Sequence, residues 1–262
     1  MQGNLLHNSQ SEEAIDRIRY FATEPPVFVA FSGGKDSAVV LDLAHRSGII
    51  FIPFHNVTGL DDPAVVRFIR QDARIKMFSP PKSLTDLAVS YGCLPTHKYR
   101  WCCRELKERM PSCGLVLTGI RAQESTRRAG RRMVETCRRY PRKHYLHPII
   151  DWTTADVWTY VHDRDLPVAP LYKTPSDRIG CVLCPLTRLL PEDLQRYPHI
   201  ANKWLRAAEA AYATSPRLQA AFPHLADYWH WWLDRYAPWP KPNDPFPDEH
   251  ELPNLCPQGI EL

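Results

Sequence analysis

Short apolar runs alternate with helix-forming patterns along the first part of the chain. The apolar runs are rich in Val, Ile and Phe and lie at 27–31, 48–57, 74–79, 114–120 and 145–150. Residues of these types are enriched in strands. The first and fourth runs are nearly continuous, which is typical of parallel strands buried on both faces. The pattern therefore predicts a mostly parallel sheet.

The segments between these runs favour helices, which are predicted at 12–22, 36–46, 62–70, 83–91 and 103–110. Alternation of strands and helices indicates an α/β protein with a doubly wound sheet. In such sheets ligands bind beyond the carboxyl ends of the strands. We therefore look for functional residues directly after each predicted strand.

The last part of the chain has a different pattern. A helix with a threonine cap is predicted at 153–164, and residues 191–236 are helical in pattern after a loop rich in Pro and Gly. Beyond Ala237 the chain is rich in prolines and acids, which is typical of an extended or partly ordered segment. We predict two domains: an α/β domain over 1–190, and a helical C-terminal extension with a Pro-rich tail over 191–262.

The composition narrows the class of protein. With 262 residues, 44% of them hydrophobic, the chain can bury a sizeable core. The first residues are polar with early acids, unlike a signal or transit peptide. Because no apolar run approaches the roughly 20 residues of a membrane span, we expect a cytoplasmic protein that does not contact membranes.

Basic residues are concentrated in one stretch. Residues 127–143 hold eight Arg and Lys residues and a single acid, Glu135, although the whole chain has a formal net charge of only +4. Such a stretch is either a solvated surface or a binding surface for a polyanion. The aromatic segment at 228–232 likewise allows two interpretations, a packing face or a surface on which bases stack.

The segment "FSGGKDS" at 31–37 follows the first predicted strand and opens a helix. Its two glycines permit positive φ and close approach of a ligand to backbone N–H groups. The helix N-terminus and Lys35 add positive charge, and Asp36 and Ser37 can cap the helix or reach Mg²⁺. These features predict a phosphate-binding turn, whose spacing differs from that of a Walker A loop.

Four of the eight cysteines form two notable pairs, "WCC" with Cys102 and Cys103, and "GCVLC" with Cys181 and Cys184. In a cytosolic chain, cysteines in such patterns indicate metal or redox chemistry more often than disulfides. Four thiolates suit zinc or an iron–sulfur cluster. Adjacent cysteines are unusual in zinc sites, and buried free thiols are a third alternative.

The hexapeptide S-G-G-K-D-S resembles the PP-loop of ATP pyrophosphatases, which split ATP between the α and β phosphates. From about residue 25 to 190 the chain resembles the phosphoadenosine phosphosulfate reductase superfamily, whose fold is adenine nucleotide α-hydrolase-like. The segments that carry this resemblance are "FSGGKDS", "HNVTGLDDP", "RWCCRELK", "LTGIRAQESTRRA", "HPIIDWTTADVWTYV" and "LPVAPLYKTPSDRIGCVLCP".

The resemblance implies roles for individual residues. Lys107 matches a lysine that meets the phosphate or sulfate of the substrate, and Arg121 and Arg127 match anion-binding arginines, although each could instead form a surface ion pair. The residues of the turn match those that hold the phosphates of ATP with Mg²⁺: Ser32, Gly33, Gly34, Lys35, Asp36 and Ser37. The cysteines match ligands of a [4Fe–4S] cluster: Cys102, Cys103, Cys181 and Cys184.

Two departures from the sulfonucleotide reductases in this superfamily matter. Those enzymes carry a degraded PP-loop, whereas the loop is intact here. They also end in a mobile segment whose cysteine attacks sulfur; Cys256 lies near that place, but its neighbours in "LPNLCPQGIEL" do not match. Cys256 is therefore either a catalytic thiol or an inert cysteine of the tail.

Both departures favour the superfamily members that combine ATP pyrophosphatase chemistry with an iron–sulfur cluster. The leading hypothesis is an ATP-dependent sulfurtransferase that adenylates an acceptor, expected to be DNA or tRNA. A cysteine desulfurase or a thiol would donate the sulfur. The alternatives are a reductase that releases sulfite from adenylylsulfate or its 3′-phosphorylated form, a nucleotide-binding partner module without catalysis, and adenylation of a small molecule.

Overall fold

A six-stranded sheet forms the centre of the α/β part of the chain. Its strands are β1 Val27–Ala30, β2 Ile52–Asn56, β3 Lys76–Phe78, β4 Gly114–Leu117, β5 Val134–Thr136 and β6 Lys143–Leu146. The spatial order is β3-β2-β1-β4-β6-β5, and every neighbouring pair is parallel except the antiparallel β5 and β6. The predicted doubly wound, mostly parallel sheet is confirmed.

This description rests on a computed structural model, which describes residues 2–173, 179–186, 190–234, 237 and 239–240. Its α-helices, in chain order, are α1 Gln2–Phe21, α2 Lys35–Ser47, α3 Pro63–Arg70, α4 Leu84–Tyr91, α5 Thr126–Ala129, α6 Thr154–Asp163, α7 Leu190–Arg196, α8 Pro198–Thr214, α9 Pro216–Ala221 and α10 Leu225–Leu233. Three single turns are also present: a π-helical turn at Cys103–Lys107 and 3₁₀ turns at Ala122–Glu124 and Pro170–Lys173.

Apolar side chains cover both faces of the sheet. Phe28, Phe54 and Val116 cluster on one face, whereas Val29 and Leu117 point into a larger cluster on the other. Successive side chains of a strand point to opposite faces, so a continuous apolar run such as β1 is buried on both. This explains why the first and fourth runs are unbroken in the sequence.

The described chain packs into two compact units. The first unit draws on residues 2–57, 61–79 and 109–180, and the second on 58–60, 80–108 and the described residues from 181 onward. The predicted division at residue 190 differs from this one, because α4 packs against α8 and so belongs with the C-terminal helices. Sequence order alone does not reveal that pairing.

Aromatic side chains form much of the core of the second unit. Tyr228 and Trp232 are almost fully buried and also bind the backbone around residue 94. The Tyr228 hydroxyl accepts a hydrogen bond from the Leu94 N–H at 2.6 Å, and the Trp232 indole donates to the Pro95 carbonyl at 2.8 Å. In the aromatic segment these two rings are therefore packing residues rather than a surface for stacked bases.

None of the helices in the described part of the chain combines the length and the apolar character needed to cross a bilayer.

Candidate functional site

The predicted phosphate-binding turn lies between the carboxyl end of β1 and the first turn of α2, in the first unit. Gly33 has φ of +74°, in a region that favours glycine. A Cβ atom there would also lie 3.3 Å from a methyl group of Val65. The backbone conformation therefore favours glycine, and any side chain would also be in tight contact with Val65.

Two serine hydroxyls close the turn on itself. Ser37 Oγ donates to the Gly34 carbonyl at 2.8 Å and accepts the Ser32 N–H at 3.1 Å. The two hydroxyl oxygens lie 3.1 Å apart, and because Ser37 already donates its proton to Gly34, Ser32 is the donor between them. These bonds hold the turn in shape by contacts within six residues.

The Tyr172 hydroxyl lies against the N-terminus of α2. It accepts a hydrogen bond from the Lys35 N–H at 3.1 Å, and it lies 3.1 Å from the place that a Cβ atom on Gly34 would take. Burial is the main cause that raises the pKa of Tyr172 to about 12, so the phenol is neutral. The phenol oxygen is thus the acceptor for a backbone N–H at the N-terminus of α2.

The Lys35 side chain is almost fully buried, which is uncommon for a lysine. Its Nζ lies 3.3 Å from Asp36 Oδ2. The same atom lies 5.2 Å from the ring centroid of Tyr172 and 5.9 Å from that of Trp158, within the range of cation–π attraction. One carboxylate and two aromatic rings therefore hold the ammonium beside the turn.

Arg121 is also buried, with 2% of its surface exposed. Its Nε donates to Asp36 Oδ1 at 2.6 Å, and its Nη atoms bond to the Trp152 carbonyl at 3.2 Å and to Thr154 Oγ1 at 3.3 Å. The guanidinium thus orients Asp36 from behind the turn. Its predicted role in binding an anion directly stays a prediction, as does that of Arg127, which is exposed on α5.

Gly119 allows the segment after β4 to approach this aspartate. A Cβ atom on Gly119 would lie 2.7 Å from the carbonyl carbon of Asp36, closer than non-bonded atoms approach. The close contact brings the chain that leads to Arg121 against the start of α2. Backbone approach at this point requires glycine.

His147 adds a buried titratable group after β6. Its Nδ1 lies 2.7 Å from Thr118 Oγ1 and its Nε2 lies 3.4 Å from an Nη atom of Arg131. Since arginine can only donate, Nε2 accepts and Nδ1 carries the proton. Burial, followed by the charge of Arg131, lowers the pKa of His147 to about 4, so the ring is neutral near pH 7.

The two predicted cysteine pairs come together within the second unit. The hydrogen bond to Cys103, followed by burial, raises the pKa of the Cys102 thiol, and the nearby sulfurs of Cys181 and Cys184 raise it further. Cys181 Sγ also lies 3.8 Å from Thr58 Oγ1. Thiols that are distant in sequence are therefore neighbours in the fold.

The pKa values of the adjacent Cys102 and Cys103 shift in opposite directions. The thiol of Cys102 donates to Cys103, which is the largest cause that lowers the pKa of Cys103 to about 7. The charge of Lys107 lowers it further, against the opposing effect of burial. Lys107 thus lies close enough to affect Cys103 electrostatically, whereas its predicted contact with a phosphate or sulfate of the substrate stays a prediction.

The donor set has the chemistry of a thiolate metal site. Four cysteine sulfurs are the usual ligands of an iron–sulfur cluster and also suit zinc. Within the described ranges, no three His, Cys, Asp or Glu side chains converge tightly enough to hold a single metal ion. The assignment of these cysteines to a cluster stays a prediction, and Cys256 lies outside the described residues.

Tyr172 and Trp158, which surround Lys35, and the buried His147 after β6 were not predicted from the sequence. The tyrosine and the tryptophan surround Lys35 only in the folded chain, since Tyr172 lies 137 residues from the amide that it contacts. Both residues fall in segments that carry the family resemblance, and this was the only signal available.

Comparison with known proteins gives a family match over the α/β part of the chain. The model for the phosphoadenosine phosphosulfate reductase domain matches residues 26–187. Adenosine 5′-phosphosulfate reductase 2 of Bacillus subtilis is 28% identical, over 72% of this chain and 87% of that protein. An uncharacterised protein of Methanocaldococcus jannaschii is also 28% identical, over 71% of this chain and 42% of that protein.

The chain thus spans less than half of the Methanocaldococcus relative and most of the Bacillus enzyme. Among solved structures, FMN adenylyltransferase of Candida glabrata aligns with a TM-score of 0.50 at 13% identity, over 68% of this chain and 62% of that one. At this identity the likeness concerns the fold alone.

Proposed function

Because this chain belongs to the phosphoadenosine phosphosulfate reductase family, we propose that it is an ATP-dependent sulfurtransferase of that family. In this proposal it adenylates an acceptor and releases pyrophosphate, and sulfur then replaces the activated oxygen. The observation that carries the proposal is the intact phosphate-binding turn, with Lys35 buried beside it. A chain that only reduces an already activated substrate has no need of such a turn.

The turn can stabilise the charge that develops when pyrophosphate leaves. The N–H groups at the start of α2 and the Lys35 ammonium are fixed before the reaction, which is the arrangement that favours a transition state over a ground state. As the acceptor oxygen bonds to the α phosphorus, the bond to the bridging oxygen breaks and pyrophosphate departs with the negative charge. Lys35 and the amides would neutralise part of that charge.

Mg²⁺ would bind at Asp36 in this proposal. Both oxygens of this carboxylate face cations in the structure, Lys35 on one side and Arg121 on the other. The carboxylate therefore fits a Mg²⁺ ligand once Lys35 turns from it toward the phosphates. The metal would supply further charge neutralisation on the nucleotide, while Arg121 would keep Asp36 oriented.

The four cysteines of the second unit would hold a [4Fe–4S] cluster, which supplies iron coordination and electron transfer for sulfur chemistry when bound. Cluster iron is bound by thiolates rather than by protonated thiols. The lowered pKa of Cys103 favours the thiolate form of that residue. In the second half of the reaction, the terminal sulfur of a donor persulfide would bond to the activated atom of the acceptor as the bond to the oxygen of AMP breaks. A thiol would then reduce the resulting S–S bond, which releases the thiolated acceptor and leaves the donor as a disulfide with that thiol.

Nucleic acid is the acceptor class that the surface charge favours. In the basic stretch, Arg128 pairs with Glu124, and Arg131 pairs with Glu135 at 2.6 Å. Other cations of the stretch, such as Arg132, are exposed. Neutralisation of phosphates supplies most non-specific affinity for nucleic acids, so a surplus of exposed arginine suits DNA or tRNA.

A second candidate function is reduction of adenylylsulfate. The observation that favours it is the Bacillus relative named as such a reductase, which this chain matches over most of its length. In that reaction a thiolate attacks the sulfur, AMP leaves, and a second thiol releases sulfite. A third candidate, a nucleotide-binding module, would bind ATP without either reaction.

One set of assays separates the three candidates. The protein is purified without oxygen, and pyrophosphate from ATP is measured with no acceptor, with DNA and with tRNA; sulfite from adenylylsulfate is measured without ATP. We expect pyrophosphate release that rises when a nucleic acid is added. Sulfite release without ATP would establish the reductase instead, and ATP binding with neither product would establish the module.

A further inference from the structure

We propose that Tyr91 is a positioning residue for the Cys102–Cys103 pair. It contacts the residue before the pair and the residues after it, and so stabilises the backbone conformation that places the two sulfurs. The role of the two cysteines as cluster ligands rests on the proposed function. The effect of Tyr91 on the geometry of the two thiols does not depend on it.

The ring of Tyr91 supports the segment before the cysteines. It stacks on the Trp101 ring with the centroids 5.1 Å apart and the planes 12° from parallel. Trp101 is fully buried and immediately precedes Cys102. The stack therefore fixes the chain at the point where it enters the cysteine pair.

The hydroxyl of Tyr91 supports the segment after the cysteines. It donates to Glu105 Oε1 at 2.8 Å and accepts from an Nη atom of Arg104 at 2.5 Å. Arg104 Nε closes the ring of bonds by donating to Glu105 Oε1 at 3.0 Å. Burial, followed by the bond to Glu105, raises the pKa of Tyr91, so the phenol keeps the proton that it donates.

The backbone that carries these side chains needs such support. Cys103–Lys107 form a π-helical turn, in which the Glu108 N–H reaches the Cys103 carbonyl at 2.9 Å. Isolated turns of this kind are rare and occur frequently at functional sites. Tyr91 itself is fixed because it ends α4, where Gly92 closes the helix with φ of +65°.

Outer side chains that hold metal ligands in place affect how tightly the metal binds. Tyr91 meets this description from a separate helix: its ring stacks on Trp101 before the pair, and its hydroxyl bonds to Glu105 and Arg104 after it. The ring centroid also lies 5.4 Å from the Arg104 guanidinium. Removing the hydroxyl would weaken the contacts after the pair and leave the stack on Trp101, and removing the ring would release both flanks. The two contributions can therefore be separated by substitution.

The first test needs no cofactor. In the metal-free protein, alkylation of each cysteine is followed by mass spectrometry in wild type, Tyr91→Phe and Tyr91→Leu. We expect Cys102 and Cys103 to react about five-fold faster in Tyr91→Phe, which corresponds to the loss of one hydrogen bond, and faster still in Tyr91→Leu. Cys113 is the internal reference, and its rate should not change.

The matched control is Tyr212→Phe. Tyr212 lies in the same unit, and its hydroxyl donates to the backbone carbonyls of Phe222 at 3.0 Å and Pro223 at 3.2 Å. It should leave the rates at Cys102 and Cys103 unchanged. Equal rates in wild type and Tyr91→Phe would overturn the proposal, as would an equal increase in Tyr212→Phe. If Tyr91→Leu fails to fold, the Tyr91→Phe comparison decides.

The second test uses protein reconstituted with iron and sulfide. Bleaching of the visible absorbance by an iron chelator should be about ten-fold faster in Tyr91→Phe, the lower end of the effect of outer partners on metal affinity. The melting temperature should match that of Tyr212→Phe. If the wild-type protein takes up no iron, the proposed cofactor is wrong and the alkylation rates alone decide the role of Tyr91. If the Tyr91→Phe protein carries the cluster and bleaches at the wild-type rate, the proposed role of Tyr91 is wrong.

Discussion

The phosphate-binding turn and the cysteine turn are both unusual backbone conformations, but they are stabilised in different ways. The first is held by its own serines, whose hydroxyls are five positions apart in sequence. The second is held by Tyr91, which lies fourteen positions from its partner Glu105 and at the end of another helix. A site stabilised by residues that are neighbours in the sequence can be predicted from the sequence. A site stabilised by residues far apart in the sequence is recognised only in the folded structure.

Cys181→Ser is expected to have the largest effect, because it removes one member of the distant pair that completes the cysteine group. We expect complete loss of the iron–sulfur absorbance in reconstituted protein, since the cluster needs four ligands. Cys113→Ser is the control, since this cysteine lies in the other unit. An absorbance that survives in Cys181→Ser, or zinc in a colourless wild type, would contradict the ligand assignment.

Lys35→Ala tests the locally held turn. Loss of a fixed positive charge at the departing phosphates should lower the rate of pyrophosphate release by at least about 100-fold. Removal of one hydrogen-bond donor at a developing negative charge has an effect of this size in other enzymes. Lys76→Ala, on the exposed end of β3, is the matched control. Undiminished release from Lys35→Ala would remove this lysine from the proposed chemistry.

Acid should weaken the first unit through His147. The folded pKa of about 4 lies below the ordinary value of 6.5, so the unfolded chain binds more protons between these values. The free energy of unfolding therefore increases with pH across that window by on the order of 3 kcal/mol. This contribution to stability is lost as the pH falls through the same window. Urea unfolding at pH 4.5 and pH 7 measures the difference.

His147→Gln should reduce this dependence on pH. His144→Gln is the control, because His144 is exposed and its Nδ1 lies 3.2 Å from the Thr136 hydroxyl. The same pH dependence in both variants would show that another group is responsible.

Gly119→Ala has the smallest expected effect of the four. The added methyl group would overlap with the backbone of Asp36, which should lower the free energy of unfolding by about 1–3 kcal/mol, the usual cost of overpacking. ATP affinity should fall with it, because the start of α2 must shift. Gly130→Ala is the control, since the nearest atom to its Cβ would be 3.9 Å away; equal stability of the two variants would contradict the close approach.

The sequence predicted the central sheet and the turn because each depends on neighbouring residues. Continuous apolar runs identified β1 and β4, and the two glycines with Lys35 identified the turn between β1 and α2. Strand β5 was missed, because Val134–Thr136 is a short edge strand whose apolar content is low. The predicted helix at 103–110 is instead a π-helical turn over Cys103–Lys107, a form that the apolar periodicity does not distinguish from an α-helix.

The partners of the site residues could not be predicted in the same way. Asp36 and Arg121 lie 85 positions apart, and no local pattern indicates that one orients the other. The boundary at residue 190 differed from the compact units for a similar reason, because α4 packs with helices that come much later in the chain. Pairings of this kind depend on how the elements pack, which a single sequence does not record.

The contact between the Tyr172 hydroxyl and the Lys35 amide would have a consequence for exchange of the nucleotide in the proposed function. An incoming phosphate oxygen would compete with a tethered phenol for the same proton, so binding would replace one hydrogen bond with another and the net gain at that amide would be small. Departure of the product would be eased equally, because the phenol would return to its place as the anion leaves. Such an exchange would favour turnover over tight retention of the ligand.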